Sequence, residues 1–438
     1  MSAKKETLIM DPIHGFINIS EYQVIEEIID TKFFQRLRRL AQLGMTSSVY
    51  PNATHTRFAH SLGVMHSFLR LFDSIIRRES SEFANKDYKR MVGAVTALIH
   101  DIGHGPFSHA SESILDQKFG RFVHEDMTCD IVTKTEISDI LQKHSINPLD
   151  ICNLINHIET KEWRLVSQLI SSQLDADRLD YLKRDSHFTG VTYGNVELDR
   201  MINTLNIWHS DSKDPFDGTV IVSSKGIPAV ENYIQGRYLM YERVYFHKVS
   251  RCMEFLLDKV FKRASILSDD VTHLSKVIDI DTKTTPELLY NMDDSSCVAL
   301  FHEWSKSDDA ILKDLAIRIL ERKRLASVTL SIKQYTDLGA INLSRLPQTV
   351  EDGGFSKDYY YIEDSYEKSA YDVYNPEEFE DSGFTSIGHI MTPNENGSLS
   401  EISNKSPIIQ ALSKNYVKKI RIFIPEDVLP KVKQIVNI

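Results

Sequence analysis

Residues 92–99 read VGAVTALI, an apolar run with almost no polar interruption, which predicts a helix buried on every side. The run ends in charge: His100 and Asp101 follow it, with His104 one helical turn on and a break at Gly105 and Pro106. An imidazole and a carboxylate at the end of a buried helix are costly unless a metal or another partner satisfies them. Upstream, residues 8–19 alternate and contain Pro12 and Gly15, predicting a short strand or hairpin. A helix is expected over about 21–29. Asp30 then reads as the N-cap of a longer helix over 31–43, closed by Gly44. On that helix Phe33, Phe34, Leu37, Leu40 and Ala41 form the core stripe, while Gln35, Arg38 and Gln42 share another face that by pattern alone is solvated. A loop then leads into a helix on which Arg57 and His60, three apart, project from one side and can meet the His100 helix in an antiparallel pair.

A second informative stretch runs from Ser171 to Gly194. Asp177, Asp180, Tyr181, Arg184 and Asp185 fall on one continuous helical face, with Leu174, Leu179 and Leu182 opposite. Three acidic groups clustered beside a phenol repel one another unless a cation or sugar hydroxyls receive them. Before it, His124 and Glu125 open another helical run, placed for proton transfer. Residues 218–227 suggest a hairpin, and a long helix is expected over 230–264, carrying Arg237, Tyr241, Tyr245 and Lys248 along one face. Cations framing tyrosine rings suit a base stacked above a phosphate chain, and equally a salt-bridged surface helix. Helical patterns recur at 286–304 and at 308–322, the latter capped by Ser307 and Asp308; LASVTLSI and KKIRIFIP read as strands. Residues 349–406 are polar and expected to include mobile loops. The pattern is mainly α: a core over 1–265, a helical extension over 266–332 and a smaller α+β C-terminal portion over 333–438.

Composition narrows the function. The 438 residues carry 62 acidic against 51 basic side chains, a net charge of −11 that argues against a protein whose main work is coating nucleic acid. Cys129, Cys152, Cys252 and Cys297 lack paired spacing, so neither a disulfide framework nor a zinc knuckle is indicated. The first residues hold no apolar signal core and no long apolar run occurs after them, so a cytoplasmic protein without a membrane span is expected.

Together, QRLRRLAQLG, THTRFAHSLGV, LIHDIGHGPFSH, LDADRLDYLKRD and RYLMYERVYFHK resemble the HD-superfamily deoxynucleoside triphosphate triphosphohydrolases, both the bacterial enzymes and the vertebrate one that joins a sterile alpha motif to an HD domain. The resemblance covers about residues 8–332; no sterile alpha motif is present. It implies a helical HD fold with short β-hairpins, and His60, His100, Asp101 and Asp177 as ligands of a divalent metal. Two imidazoles and two carboxylates suit manganese, iron, zinc, nickel or magnesium without choosing among them. His104, His109 and His124 match the active-site histidines, with His109 or His124 donating to the leaving 5′ oxygen. Arg57, Arg178 and Arg237 match cations that meet the triphosphate, and Lys183 is a further cation placed with them by inference, not by the resemblance. Gln42 and Asp185 match contacts to the sugar 3′ hydroxyl, Tyr181 the ring against the deoxyribose, and Tyr245 an aromatic near the base. Tyr241 stands where the vertebrate enzyme has a histidine.

The resemblance also implies activation by GTP or a deoxynucleotide in a homotetramer built from dimers. Asp30, Gln35 and Arg38 match a guanine-nucleotide site, and Lys225, His247 and Lys248 an adjoining one; Thr7, Met10 and Ser223 depart from the vertebrate pattern. Two other readings compete with the triphosphohydrolase. One is an HD phosphohydrolase acting on a nucleoside monophosphate, a cyclic nucleotide or a single-stranded nucleic-acid end, and the other is a non-catalytic nucleotide sensor.

Overall fold

A computed structural model describes residues 6–78, 85–107, 123–158, 160–209, 218–274, 285–368, 371, 389–414 and 417–437. Its architecture is mainly α with small sheets. The hairpin comes first: β1 (Leu8–Asp11) pairs antiparallel with β2 (Gly15–Asn18), followed by α1 (Gln23–Ile29) and α2 (Lys32–Arg36). Helices α3 (Arg57–Ile76) and α4 (Lys86–Ile99) pack together, and every residue from Val92 to Ile99 is buried. His60 near the start of α3 meets His100 at the end of α4, so the two helices run antiparallel, as expected. Helix α5 (His124–Lys134) braces the turn after α4: Thr128 Oγ1 donates to the His100 carbonyl and accepts from the Gly103 amide. Helix α6 (Ala176–Thr189) lies across α3 and brings Asp177 to the same place.

Several boundaries differ from the sequence reading. Asp30 does not cap α2; its amide completes α1 on the Glu26 and Ile28 carbonyls, and extended Thr31 takes the cap, its hydroxyl accepting from the Phe34 amide. The helix expected over 31–43 stops at Arg36, continues as a 3₁₀ turn over Leu37–Arg39, and becomes extended at Leu40, where Ala41 bridges Thr56. Residues 218–227 are not a hairpin. Strand β4 (Thr219–Val222) pairs antiparallel with upstream β3 (Leu205–Trp208), and Ser224–Gly226 form a 3₁₀ turn.

The long helix expected over 230–264 is also interrupted. Helix α7 (Ile227–Met240) passes into a π-helical turn over Tyr241–Tyr245, and α8 (Lys248–Ile266) starts afresh with His247 as its N-cap. The Tyr50 hydroxyl donates to the Arg243 carbonyl that the wider turn frees. Arg237, Tyr241 and Tyr245 still touch in sequence along one side, whereas Lys248 belongs to the new helix. The segment 286–304 divides at Met292 into Pro286–Asn291 and α9 (Asp294–Trp304), and α10 (Ala310–Leu320) is capped by Asp309, not by Ser307 or Asp308.

The two C-terminal strands appear where expected. β5 (Ala326–Ser331) and β9 (Val417–Ile424) pair antiparallel, and β6 (Ile362–Lys368) completes the sheet on the other side of β9. The polar stretch 349–406 holds structure that its composition hid: the end of a helix, Gly339–Asp352, then β6, and the hairpin of β7 (Met391–Pro393) and β8 (Leu399–Glu401), with β7 parallel to β4. Residues 372–388 lie outside the described residues. No described helix is long and apolar enough to cross a membrane.

Candidate active site

Four side chains from three helices converge. His60 Nε2 lies 3.0 Å from Asp177 Oδ1 and 3.7 Å from Asp101 Oδ2; His100 Nε2 lies 3.3 Å from Asp101 Oδ1 and 3.7 Å from Asp177 Oδ1. The other ring nitrogens are already committed. His60 Nδ1 meets Asp180 Oδ2 at 2.8 Å, and His100 Nδ1 donates to the Ala97 carbonyl at 2.9 Å. Both Nε2 atoms are buried and neither makes a hydrogen bond, since the close approaches to carboxylates are not directed along an N–H. Two inward-facing imidazole nitrogens, each fixed from behind, and two carboxylates fit a divalent cation. His60, His100 and Asp101 form one group with metal-ligand spacing, and Asp101, His104 and His124 form another.

The electrostatics agree with a cation site. Burial disfavours charge on His60, yet the Asp177 and Asp180 carboxylates beside its two ring nitrogens outweigh it and push the imidazole up to about 10. Burial also works against ionised Asp101, but His100, Arg57 and His104 hold it well below the usual carboxylate range. Asp177 is held low against burial by His100 and His60. Burial and the neighbouring Arg57 cation keep His104 neutral, down to about 3. The site thus contains imidazoles pushed in opposite directions.

Beside this centre opens a cavity of about 690 Å³. Its walls include Gln42, Arg57, Asp101, His104, His124, Asp177, Tyr181, Asp185, Tyr241 and Tyr245, most of the residues singled out for catalysis and substrate. His104 and His124 stack at 3.8 Å between ring centroids. Arg57 pairs with Asp101. Asp185 receives His55 Nε2 and the Tyr245 hydroxyl, each at 2.7 Å. Tyr245 stands edge-on to Tyr181 and to Tyr241, giving the cavity an aromatic wall.

Other expected residues sit elsewhere. Arg178 and Arg237 do not line the cavity: Arg178 pairs with Asp175, and buried Arg237 donates to Gln173 Oε1 at 2.6 Å behind the Tyr241 ring. Lys183 is also absent from the lining. His109 lies outside the described residues. Gln35 accepts from Arg38 at 2.9 Å and Arg38 covers the Phe58 ring, so these two do share a face, with exposed Asp30 at the end of α1. Exposed Lys225 stands in the turn before α7, whereas His247 and Lys248 begin α8.

The sequence reading missed the supporting layer. Asp180 is fully buried and binds His14 Nε2 at 2.7 Å, His60, and Nε and Nη2 of Arg184, whose Nη1 donates to Asp11 at 2.8 Å. Asp180 was visible on the α6 face; its partners His14 and Asp11, from the first hairpin, gave no local signal. The far end of the cavity, with Arg251, Glu254 and Asp258 on α8, was also missed. Arg251 is tied to Asp364 of the C-terminal sheet at 3.0 Å.

Comparison with known proteins agrees with this geometry. The HD domain model matches residues 57–185, which contain all four converging side chains, and the HD associated region matches residues 196–339. The protein YwfO of Bacillus subtilis is 33% identical over 434 residues, covering 97% of this chain and 93% of its own. The deoxynucleoside triphosphate triphosphohydrolase SAMHD1 homolog of Dictyostelium discoideum is 32% identical over 311 residues, 66% of this chain and 57% of that protein. Among solved structures, a phosphohydrolase from Bacteroides thetaiotaomicron superposes with a TM-score of 0.76 at 28% identity, covering 96% of this chain and 100% of that one. With its His-Asp centre built as described and a relative alike along nearly its whole length, the chain belongs to the HD-domain family of phosphohydrolases.

Proposed function

We propose that this protein hydrolyses deoxynucleoside triphosphates to a deoxynucleoside and inorganic triphosphate. The observation that carries the reading is the continuous cavity beside the His-Asp centre: its lining includes the Arg57 guanidinium, stacked imidazoles, a carboxylate, a glutamine and tyrosine rings, chemistry that suits phosphate, leaving group, sugar and base. The resemblance of the chain to the Dictyostelium triphosphohydrolase supports the same substrate.

His60, His100, Asp101 and Asp177 would hold a divalent cation, which when bound supplies an acidified water and neutralises phosphate oxygens. Arg57, fixed by Asp101 at the cavity wall, brings its positive charge to the phosphate chain. Water adds to the α-phosphorus as the bond to the 5′ oxygen breaks, and that oxygen leaves with a proton from an imidazole. His124, stacked on His104 at the cavity wall, is the donor among the described residues. Gln42 and Asp185 orient the sugar through its 3′ hydroxyl, and Tyr181 closes the space a ribose 2′ hydroxyl would need. Arg178 and Arg237 act from behind the wall, and Lys183 at most at long range. Activation by GTP or a deoxynucleotide through Asp30, Gln35, Arg38, Lys225, His247 and Lys248, in a homotetramer in the cytoplasm, completes the proposal.

The test is a substrate panel with the purified protein and Mn²⁺ or Mg²⁺: each dNTP alone, all four mixed, ribonucleotides, monophosphates and cyclic nucleotides, with a chelator control. Metal-dependent turnover of dNTPs alone or in the mixture supports the reading, and turnover only in the mixture reveals activation. Turnover confined to monophosphates or cyclic nucleotides contradicts it.

A further inference from the structure

Helix α9 reaches the candidate site from the HD associated region through its first residue. Asp294 Oδ2 accepts the Ala41 amide and Oδ1 accepts the Phe107 amide, each at 2.8 Å. Ala41 precedes Gln42 and bridges Thr56, the neighbour of Arg57; Phe107 stands three residues after His104. One carboxylate therefore joins two walls of the cavity that are distant in sequence. It does not serve as the helix cap, because Asp293 accepts the Ser296 amide in that role.

The segment it holds is under tension. Phe107 has φ +53°, a left-handed backbone that a bulky residue keeps only where its surroundings impose it. Its ring stacks on Phe301, also on α9, and its carbonyl oxygen sits 3.2 Å from where a Cβ on left-handed Gly44 would be. The turn before α9 is anchored as well: Arg36 Nε donates to the Met292 carbonyl at 2.9 Å and Arg39 pairs with Asp293. Gln42, Gly44, Arg57, His104 and Phe107 line the cavity, while Asp294 stands behind them.

We infer that Asp294 is a positioning residue that clamps the Ala41–Gln42 segment and the His104–Phe107 segment into one wall, setting substrate affinity without touching substrate. The inference rests on the cavity being the nucleotide pocket. Asp294→Ala removes both acceptors; Asp294→Asn keeps one and replaces the other with a donor. In the full chain, Asp294→Ala is expected to raise KM for a dNTP at least tenfold, with Asp294→Asn between it and the parent, and to speed amide exchange over 40–44 and 104–107 in the substrate-free protein. Kinetic constants within twofold of the parent below the melting temperature, whatever the melting shift, would overturn it. So would unchanged exchange in both segments. If the parent turns over no dNTP, the substrate proposal fails, but the exchange experiment still decides the clamp. If Asp294→Ala does not fold, Asp294→Asn is judged by the same criteria.

Discussion

His60 Nδ1 lies 2.8 Å from Asp180 Oδ2, and this contact leaves Nε2 of the imidazole facing Asp101 and Asp177. Asp180 is itself held by Arg184 and His14, so the ring orientation is fixed by a charged network rooted in the first hairpin. Replacing such a partner typically costs 10- to 100-fold in metal affinity. Asp180→Asn is therefore expected to weaken Mn²⁺ binding by about that factor, measured by calorimetric titration of the metal-free protein. Unchanged affinity would remove Asp180 from the metal site.

The same network explains Gly63. A Cβ there would fall 1.9 Å from Asp180 Oδ1 and 2.4 Å from Arg184 Nη2, both fully buried and unable to retreat. Gly63→Ala is expected to destabilise the fold by roughly 1–3 kcal/mol, the usual range for overpacking, with weakened metal binding as a second consequence. A urea midpoint equal to that of the parent would show that α3 and α6 can separate at no cost.

His66 predicts a pH dependence. Burial, with His14 and Arg70 close by, lowers its imidazole to about 4. The unfolded chain takes up this proton near 6.5, so His66 contributes its full stability above that pH. The contribution is lost as pH falls from about 6.5 towards 4, and below 4 both states are protonated and nothing more is lost. His66→Gln should flatten the stability curve across this window by on the order of 1–3 kcal/mol. Denaturation midpoints at pH 7 and pH 4.5 that drop equally in parent and variant would assign the acid sensitivity elsewhere.

The range of each interaction decided whether the sequence revealed it or hid it. His100 and Asp101 stood out because a fully buried helix ends in charge, and Asp177 because its neighbours make one acidic face. Both signals are local. The role of Asp180 depends on His14, from the far end of the chain, and that of Asp294 on amides at Ala41 and Phe107, none of which leaves a periodic trace. The π turn at Tyr241–Tyr245 was hidden for another reason: apolar and aromatic spacing continues through it, while the widened backbone is met by the Tyr50 hydroxyl from another segment. At Asp30 and Thr31 two good capping residues stand side by side, and the choice between them depends on where α1 ends.

In the proposed reaction Asp185 would meet the sugar 3′ hydroxyl. It lines the cavity, and its oxygens are oriented by His55 and Tyr245. A hydrogen bond to a charged group contributes about 1.5–3 kcal/mol. Asp185→Asn should then lower kcat/KM for a dNTP about 10- to 100-fold, and should lower it much less for the 2′,3′-dideoxy analogue, which has no 3′ hydroxyl to lose. Equal losses for both substrates would place Asp185 outside sugar recognition.

The most direct test of the proposed reaction is to identify its products in H₂¹⁸O by ³¹P NMR and chromatography, using a dNTP mixture with Mn²⁺ and His100→Ala as control. The account predicts unlabelled deoxynucleoside and inorganic triphosphate carrying one ¹⁸O, with both absent in the variant. Diphosphate plus phosphate, monophosphate plus pyrophosphate, ¹⁸O in the deoxynucleoside, or an undiminished rate in His100→Ala would contradict it.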